Sequence, residues 1–115
     1  MAKGFEKALE GQEEVRITFV KKDGKKRTIP IWFTVKGSTV ELLPMYGSKT
    51  KWYGDVSSAG SLQLKVQGEA ISASPRVTRD PRVINEIKER FGAKYGEDDV
   101  KKYYPNQDIA LEVQL

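Results

Sequence analysis

Runs of strictly alternating apolar and polar residues, most of them separated by two-residue turn signals, commit this chain to antiparallel sheet. Val15, Ile17 and Phe19 alternate with Arg16 and Thr18, the period-2 pattern of a half-buried strand. Asp23-Gly24 follows, a strong two-residue hairpin signal. The next run is long: Ile29, Ile31, Phe33 and Val35 share one face, and Thr28, Pro30, Trp32 and Thr34 the other. Pro30 withholds a ladder donor, which predicts an edge strand or a bulge there. Gly37-Ser38 turns the chain into a third strand, Thr39 to Leu43. Later, Leu62, Leu64 and Val66 alternate with Gln63, Lys65 and Gln67, and Gly68-Glu69 reads as a tight turn into a strand from Ala70 to Val77. Ile109, Leu111, Val113 and Leu115 close the chain as a sixth strand.

Helical spacing appears in the gaps. Phe5, Ala8 and Leu9 predict a short N-terminal helix within residues 1–11, packed on the body. Trp52 to Ala59 reads as a second helix. Asp80-Pro81 reads as an N-cap with proline at the first helical position. The stripe Val83, Ile84, Ile87 and Phe91 follows it, with Gly92 as its end. Glu97 to Tyr104 reads as a further helical turn, broken by Pro105-Asn106. The expected fold is mainly β of the α+β class: a six-stranded antiparallel barrel with helices at its rim, residues 1–115 forming one domain.

With 115 residues, such a domain buries roughly two-thirds of the surface its unfolded chain exposes. The sequence has no cysteine and no histidine. Disulfides, thiolate metal sites, imidazole bases, the usual catalytic triads and most zinc sites are thereby excluded. Chemistry is left to carboxylates, Lys, Tyr, Ser and Thr, or to a borrowed cofactor. The net charge of +4 favours anionic partners. No apolar run is long enough to span a bilayer, and Met1 to Gly11 lacks the apolar core of a signal peptide. A soluble, cytoplasmic protein is the expectation.

One segment concentrates binding chemistry: Met45-Tyr46-Gly47-Ser48-Lys49-Thr50-Lys51-Trp52-Tyr53-Gly54-Asp55. A strand feeding a small polar loop and a helix start offers backbone N–H groups and a positive dipole end. Ser48 or Thr50 is placed to cap the helix. Lys49 and Lys51 add positive charge, and Trp52 and Tyr53 add flat apolar surface beside it. That combination suits a phosphorylated ring compound. The alternative is a capped surface helix whose aromatic residues fill the core.

Two stretches carry a family resemblance. Lys22-Asp23-Gly24-Lys25-Lys26-Arg27-Thr28-Ile29-Pro30-Ile31-Trp32-Phe33 resembles the opening hairpin of the FMN-binding split barrels. Within that superfamily it is most similar to the deazaflavin (F420)-dependent nitroreductases, which read as a glycine turn, basic residues, then Thr-Pro-apolar. Gly47-Ser48-Lys49-Thr50-Lys51-Trp52-Tyr53-Gly54-Asp55-Val56 resembles their Gly/Ser-rich loop with Lys or Arg, followed by Trp-Tyr-x-Asn-Leu. The resemblance runs from about Val15 to Leu115. It departs at Asp55, where relatives often have Asn, and at Ile29, inserted before the proline. It implies a split barrel in which both turns hold the phosphate arm of a flavin or of F420. Cofactor contact would then fall on Lys26, Arg27 and Thr28, and on Tyr46, Gly47, Ser48, Lys49, Thr50 and Trp52. The implied activity is hydride transfer between bound F420 or FMN and a small organic acceptor, with no side-chain base and no metal. It also implies a homodimer, for which Ser72, Ala73 and Ser74 offer a small-residue seam.

Other readings stand beside this one. The lysine-rich turn (Lys21, Lys22, Lys25, Lys26, Arg27) is also what a solvated hairpin uses to protect a sheet edge. Trp32 is a core candidate as much as a cofactor wall, and Tyr103 and Tyr104 either line a substrate mouth or pack the last helix. Glu97, Asp98 and Asp99 read as a solvated, capped turn. A non-catalytic basic barrel could bind single-stranded nucleic acid, with Trp32, Trp52 and Tyr53 as stacking platforms, or serve as a module for a protein partner.

Overall fold

The computed structural model describes residues 2–105 and 107–115; Asn106, expected to break a helix together with Pro105, lies outside the described residues. Strand β1 (Glu14–Val20) buries Val15, Ile17 and Phe19, as the alternation requires. It pairs with β2 (Lys26–Trp32) over seven consecutive antiparallel positions, from Val20↔Lys26 to Glu14↔Trp32. The connection is a three-residue loop instead of the expected two: Lys21 N–H donates to Lys25 C=O at 2.8 Å, enclosing Lys22 to Gly24. Gly24 has φ +86, the left-handed residue that three-residue hairpins place at their end. Pro30 lies opposite Arg16 without a bulge, on a strand at the edge of its sheet. No neighbour there misses its N–H.

The six-strand expectation is corrected to eight among the described residues, in two four-stranded antiparallel sheets that do not close into a barrel. Two of the long runs each change sheet. The first breaks at Phe33: β2 stays in one sheet and β3 (Thr34–Lys36) joins the other. Facing changes with it, so that Phe33 and Thr34 are both buried while Val35 is 40% exposed. The second breaks at Ser74-Pro75 into β6 (Glu69–Ala73) and β7 (Arg76–Thr78). With β4 (Thr39–Leu42), β5 (Leu62–Val66) and β8 (Ala110–Gln114), the orders are β2-β1-β5-β6 and β3-β4-β8-β7. The β5–β6 turn is Gln67-Gly68, one residue earlier than expected, with φ of +46 and +80. Two positive values mark the hairpin turn that matches strand twist.

The main core lies between the sheets, where Ile17 and Leu64 meet Val40, Leu42, Leu111 and Val113. Helix α1 (Ala2–Leu9) adds Phe5 and Leu9, and α2 (Lys51–Ala59) adds Trp52, Tyr53 and Val56. A second cluster joins Leu43 and Ala110 to α3 (Pro81–Tyr95) and α4 (Glu97–Tyr103) through Ile84, Ile87, Phe91, Val100 and Tyr104. The Asp80 cap forms as expected, its carboxylate accepting the Arg82 N–H at 2.9 Å. Helix α3 passes through Gly92 and ends at Gly96, which has φ +100. Gly92 instead permits close packing: a Cβ there would stand 3.3 Å from Glu97 Cγ.

Candidate functional site

Because α3 continues to Tyr95, that ring reaches Trp32 and stacks on it, centroids 4.1 Å apart and planes within 5°. Tyr103 meets the same indole edge-on at 5.8 Å. Trp32, backed by Tyr95, and Tyr103 line one side of a pocket of about 270 Å³, completed by Leu43, Met45, Trp52 and Tyr104. Trp52 enters from the first turn of α2, Leu43 and Met45 from the segment after β4, and the tyrosines from the end of α4. Burial pushes the Tyr95 phenol up to about 12 and Tyr104 higher still. Both hydroxyls therefore stay protonated at neutral pH. The arrangement is a largely apolar slot bordered by aromatic side chains, with Glu14 also in its lining.

The segment after β4 folds as a tight turn. Gly47, at φ +60, donates its N–H to Pro44 C=O at 3.0 Å, and residues Gly47–Lys49 form a 3-10 turn. Neither expected cap forms. Thr50 Oγ1 accepts the Tyr46 N–H at 2.8 Å, so its hydroxyl is spent inside the turn, and α2 has no side-chain cap. Ser48 faces the opposite way. Its N–H donates to Asp108 Oδ1 at 2.8 Å and its hydroxyl to Oδ2 at 2.5 Å. The anion seated on this turn is the chain's own carboxylate. Those bonds, the hydroxyl's first, hold the Asp108 carboxyl below the usual carboxylate range. Tyr46, Ser48, Lys49, Lys88 and Asp108 line a groove of about 620 Å³, and Met45 lines both this groove and the aromatic slot. Ring pocket and cationic groove are thus neighbours.

The hairpin residues go elsewhere. Strand alternation splits Lys26, Arg27 and Thr28 between two faces. Arg27 lies opposite Phe19, on the inward-facing side, while Thr28 bonds Thr18 Oγ1 at 2.7 Å and lines a broad groove with Arg16 and Lys65 on the outer face. Arg27 is about 10 Å along β2 from Pro30, at the slot's rim. The hairpin turn does meet α2, but through Lys22, whose N–H donates to the buried Asp55 at 3.3 Å. Of the nine expected contact residues, Tyr46, Ser48 and Lys49 therefore share a groove and Trp52 lines the slot beside it. Gly47 and Thr50 are buried supports of the turn. Sequence reasoning missed Lys88, Tyr95 and Asp108. Tyr95 continues the α3 stripe four residues beyond Phe91, a signal hidden by ending the helix at Gly92. Nothing in the sequence pairs Asp108 with Ser48, 60 residues away. The nucleic-acid reading loses its platforms, since Trp52 and Tyr53 are buried and Trp32 already stacks on Tyr95.

The profile of a family described as uncharacterized proteins conserved in bacteria, DUF2255, matches residues 7–110. No curated protein matches the chain. Among solved structures, it is similar to an F420-H2-dependent reductase at 15% identity and TM-score 0.69, over 90% of this chain and 95% of that one. It is also similar to HutZ, the haem storage protein of Vibrio cholerae, at 11% identity and TM-score 0.73, over 97% and 87%. A candidate pyridoxamine 5'-phosphate oxidase from Listeria innocua aligns at 12% identity and TM-score 0.71, over 97% and 90%. At such identities the likeness is one of fold: the two sheets and their helices are arranged as in a split barrel. No described helix is long and apolar enough to cross a membrane.

Proposed function

The chain belongs to the DUF2255 family and has a split-barrel-like fold, and from that premise we propose that it binds F420 or FMN and serves as an oxidoreductase for a small organic acceptor. The observation that carries this reading is the aromatic slot opening, at Met45, onto a groove with two lysines. A slot of about 270 Å³ is near the small end of ligand pockets, about 300–1,000 Å³, so it takes a flat ring and leaves the substituent outside. The residues present fit such a ligand. Trp32, Trp52, Tyr103 and Tyr104 border the slot, and Lys49 and Lys88 offer charge for a phosphate. The cofactor supplies the hydride chemistry. The chain supplies a largely apolar lining, the protonated Tyr104 phenol and cations at the slot's mouth. Contact is assigned to Tyr46, Ser48, Lys49 and Trp52, with Lys88 added. Lys26, Arg27 and Thr28 are set aside because they line neither cavity. The fold neighbour that stores haem supports no parallel proposal, because histidine and cysteine, two common haem ligands, are missing from the sequence. A homodimer in the cytoplasm is part of the proposal; Ser72 and Ser74, exposed at and just beyond edge strand β6, remain available for pairing.

The test is a titration of the purified protein with FMN and F420, followed by ring fluorescence. Lys49→Ala should weaken binding by about 1–3 kcal/mol, the scale of a charge-assisted contact. Arg27→Ala should leave it within about 0.5 kcal/mol, as for a surface change away from the site. Absence of binding by both cofactors defeats the proposal. Loss confined to Arg27→Ala moves the phosphate to the hairpin.

A further inference from the structure

The groove beside the aromatic slot contains a charge that a simple phosphate site would not. Three cations bear on it: Lys49 and Lys88 line it, and Arg79 acts electrostatically on the Asp108 carboxylate. The same carboxylate holds both neutral donors of the turn, Ser48 N–H and Ser48 Oγ–H. A terminal phosphomonoester is close to a dianion at neutral pH, and its three oxygens call for several donors. To reach Ser48 it must displace Asp108; to bind beside Asp108 it must bear a like charge at close range. A phosphodiester has one negative charge and fewer acceptor oxygens to satisfy. It can rest on Lys49 and Lys88 with the Ser48–Asp108 pair intact.

We propose that Asp108 determines the specificity of the groove, excluding phosphomonoester dianions and admitting a ring compound whose tail carries a phosphodiester. The inference rests on the cofactor reading above and sharpens it, since it names the linkage. The groove provides positive charge for the tail, and the Ser48–Asp108 pair rejects the second negative charge. Asp108 is exposed and its partners lie on the surface, so Asp108→Asn keeps the shape and removes the charge.

Three ligands with one isoalloxazine ring isolate the effect: riboflavin without phosphate, the cyclic phosphodiester of riboflavin, and FMN. Ring fluorescence is titrated for wild type and Asp108→Asn. In the wild type the cyclic diester should bind tightest, with FMN no better than riboflavin. In Asp108→Asn, FMN should gain about tenfold or more, while riboflavin is unchanged. A second measurement needs no ring. Inorganic phosphate at millimolar levels should shift the Ser48 amide resonance in Asp108→Asn and leave it in place in the wild type. If FMN is the tightest ligand of the wild type, or Asp108→Asn moves all three ligands equally, the Asp108 proposal is overturned and the ring slot survives. If no ring compound binds to either protein, the cofactor reading fails and this inference fails with it.

Discussion

Tyr95 ties three pieces of chain with one oxygen. Its hydroxyl accepts the Phe33 N–H at 3.0 Å and lies 2.6 Å from Glu13 C=O and 2.9 Å from Phe33 C=O, while Lys94 Nζ donates to the same Phe33 carbonyl at 2.9 Å. Phe33 is where the chain leaves one sheet for the other, so its peptide groups have no ladder partner, and buried peptide groups need one. The side chains of α3 supply it. Tyr95→Phe keeps the ring against Trp32 and removes only these bonds. It should cost about 1–3 kcal/mol, the scale of leaving part-buried backbone groups unpaired, read as a lower denaturation midpoint in urea. An unchanged midpoint would show that water satisfies the Phe33 peptide equally well.

At the scale of elements, α3 is held to the outer face of the second sheet by an ion pair that alternation alone does not announce. Glu41 sits within the apolar run of β4, 1% exposed, and accepts from Arg90 Nε and Nη2 and from Thr34 Oγ1. Arg90→Ala leaves that carboxylate buried without its cation, a change worth about 3–5 kcal/mol. Arg90→Lys should recover only part, because an ammonium cannot make the two-pronged contact. Equal stability of the alanine and wild-type proteins, measured by denaturation, would remove the pair from the account. The strands of the first hairpin were legible in the sequence, since Val15, Ile17 and Phe19 point inward on a sheet with one free face. The sheet changes were not. Ile31, Phe33 and Val35 keep perfect period-2 spacing in sequence, and only the contact of Phe33 with α3 shows that the run bends there. Pro75 gave a local hint of the second break; Phe33 gave none. The turn at Gly47–Lys49 was legible as an anion seat, but its occupant, Asp108, comes from a segment remote in sequence.

For the whole molecule, the consequence lies in how the second core responds to alkali. Tyr104, buried, and Tyr95, half-buried, both pack against Phe91, with ring centroids 5.5 and 5.7 Å from it, where α3, α4 and the second sheet meet. Burial raises both phenols above the ordinary value of 10.0, Tyr95 to about 12. The unfolded chain gives up these protons near pH 10, while the folded chain retains them. Their contribution to stability is therefore complete below pH 10 and is lost as pH rises toward and through the folded values. Lysines titrate in the same range, so the effect is isolated by difference. Urea midpoints of wild type and Tyr104→Phe, measured from pH 9 to pH 12, should run parallel up to about pH 10. Above it the wild-type midpoint should fall relative to that of the variant, as the wild type loses a term that the phenylalanine variant lacks. Tyr104 lines the slot, so ring binding should fade over the same interval. Midpoints that stay parallel through pH 12 would mean that Tyr104 ionises equally easily in both states, and that the second core admits solvent.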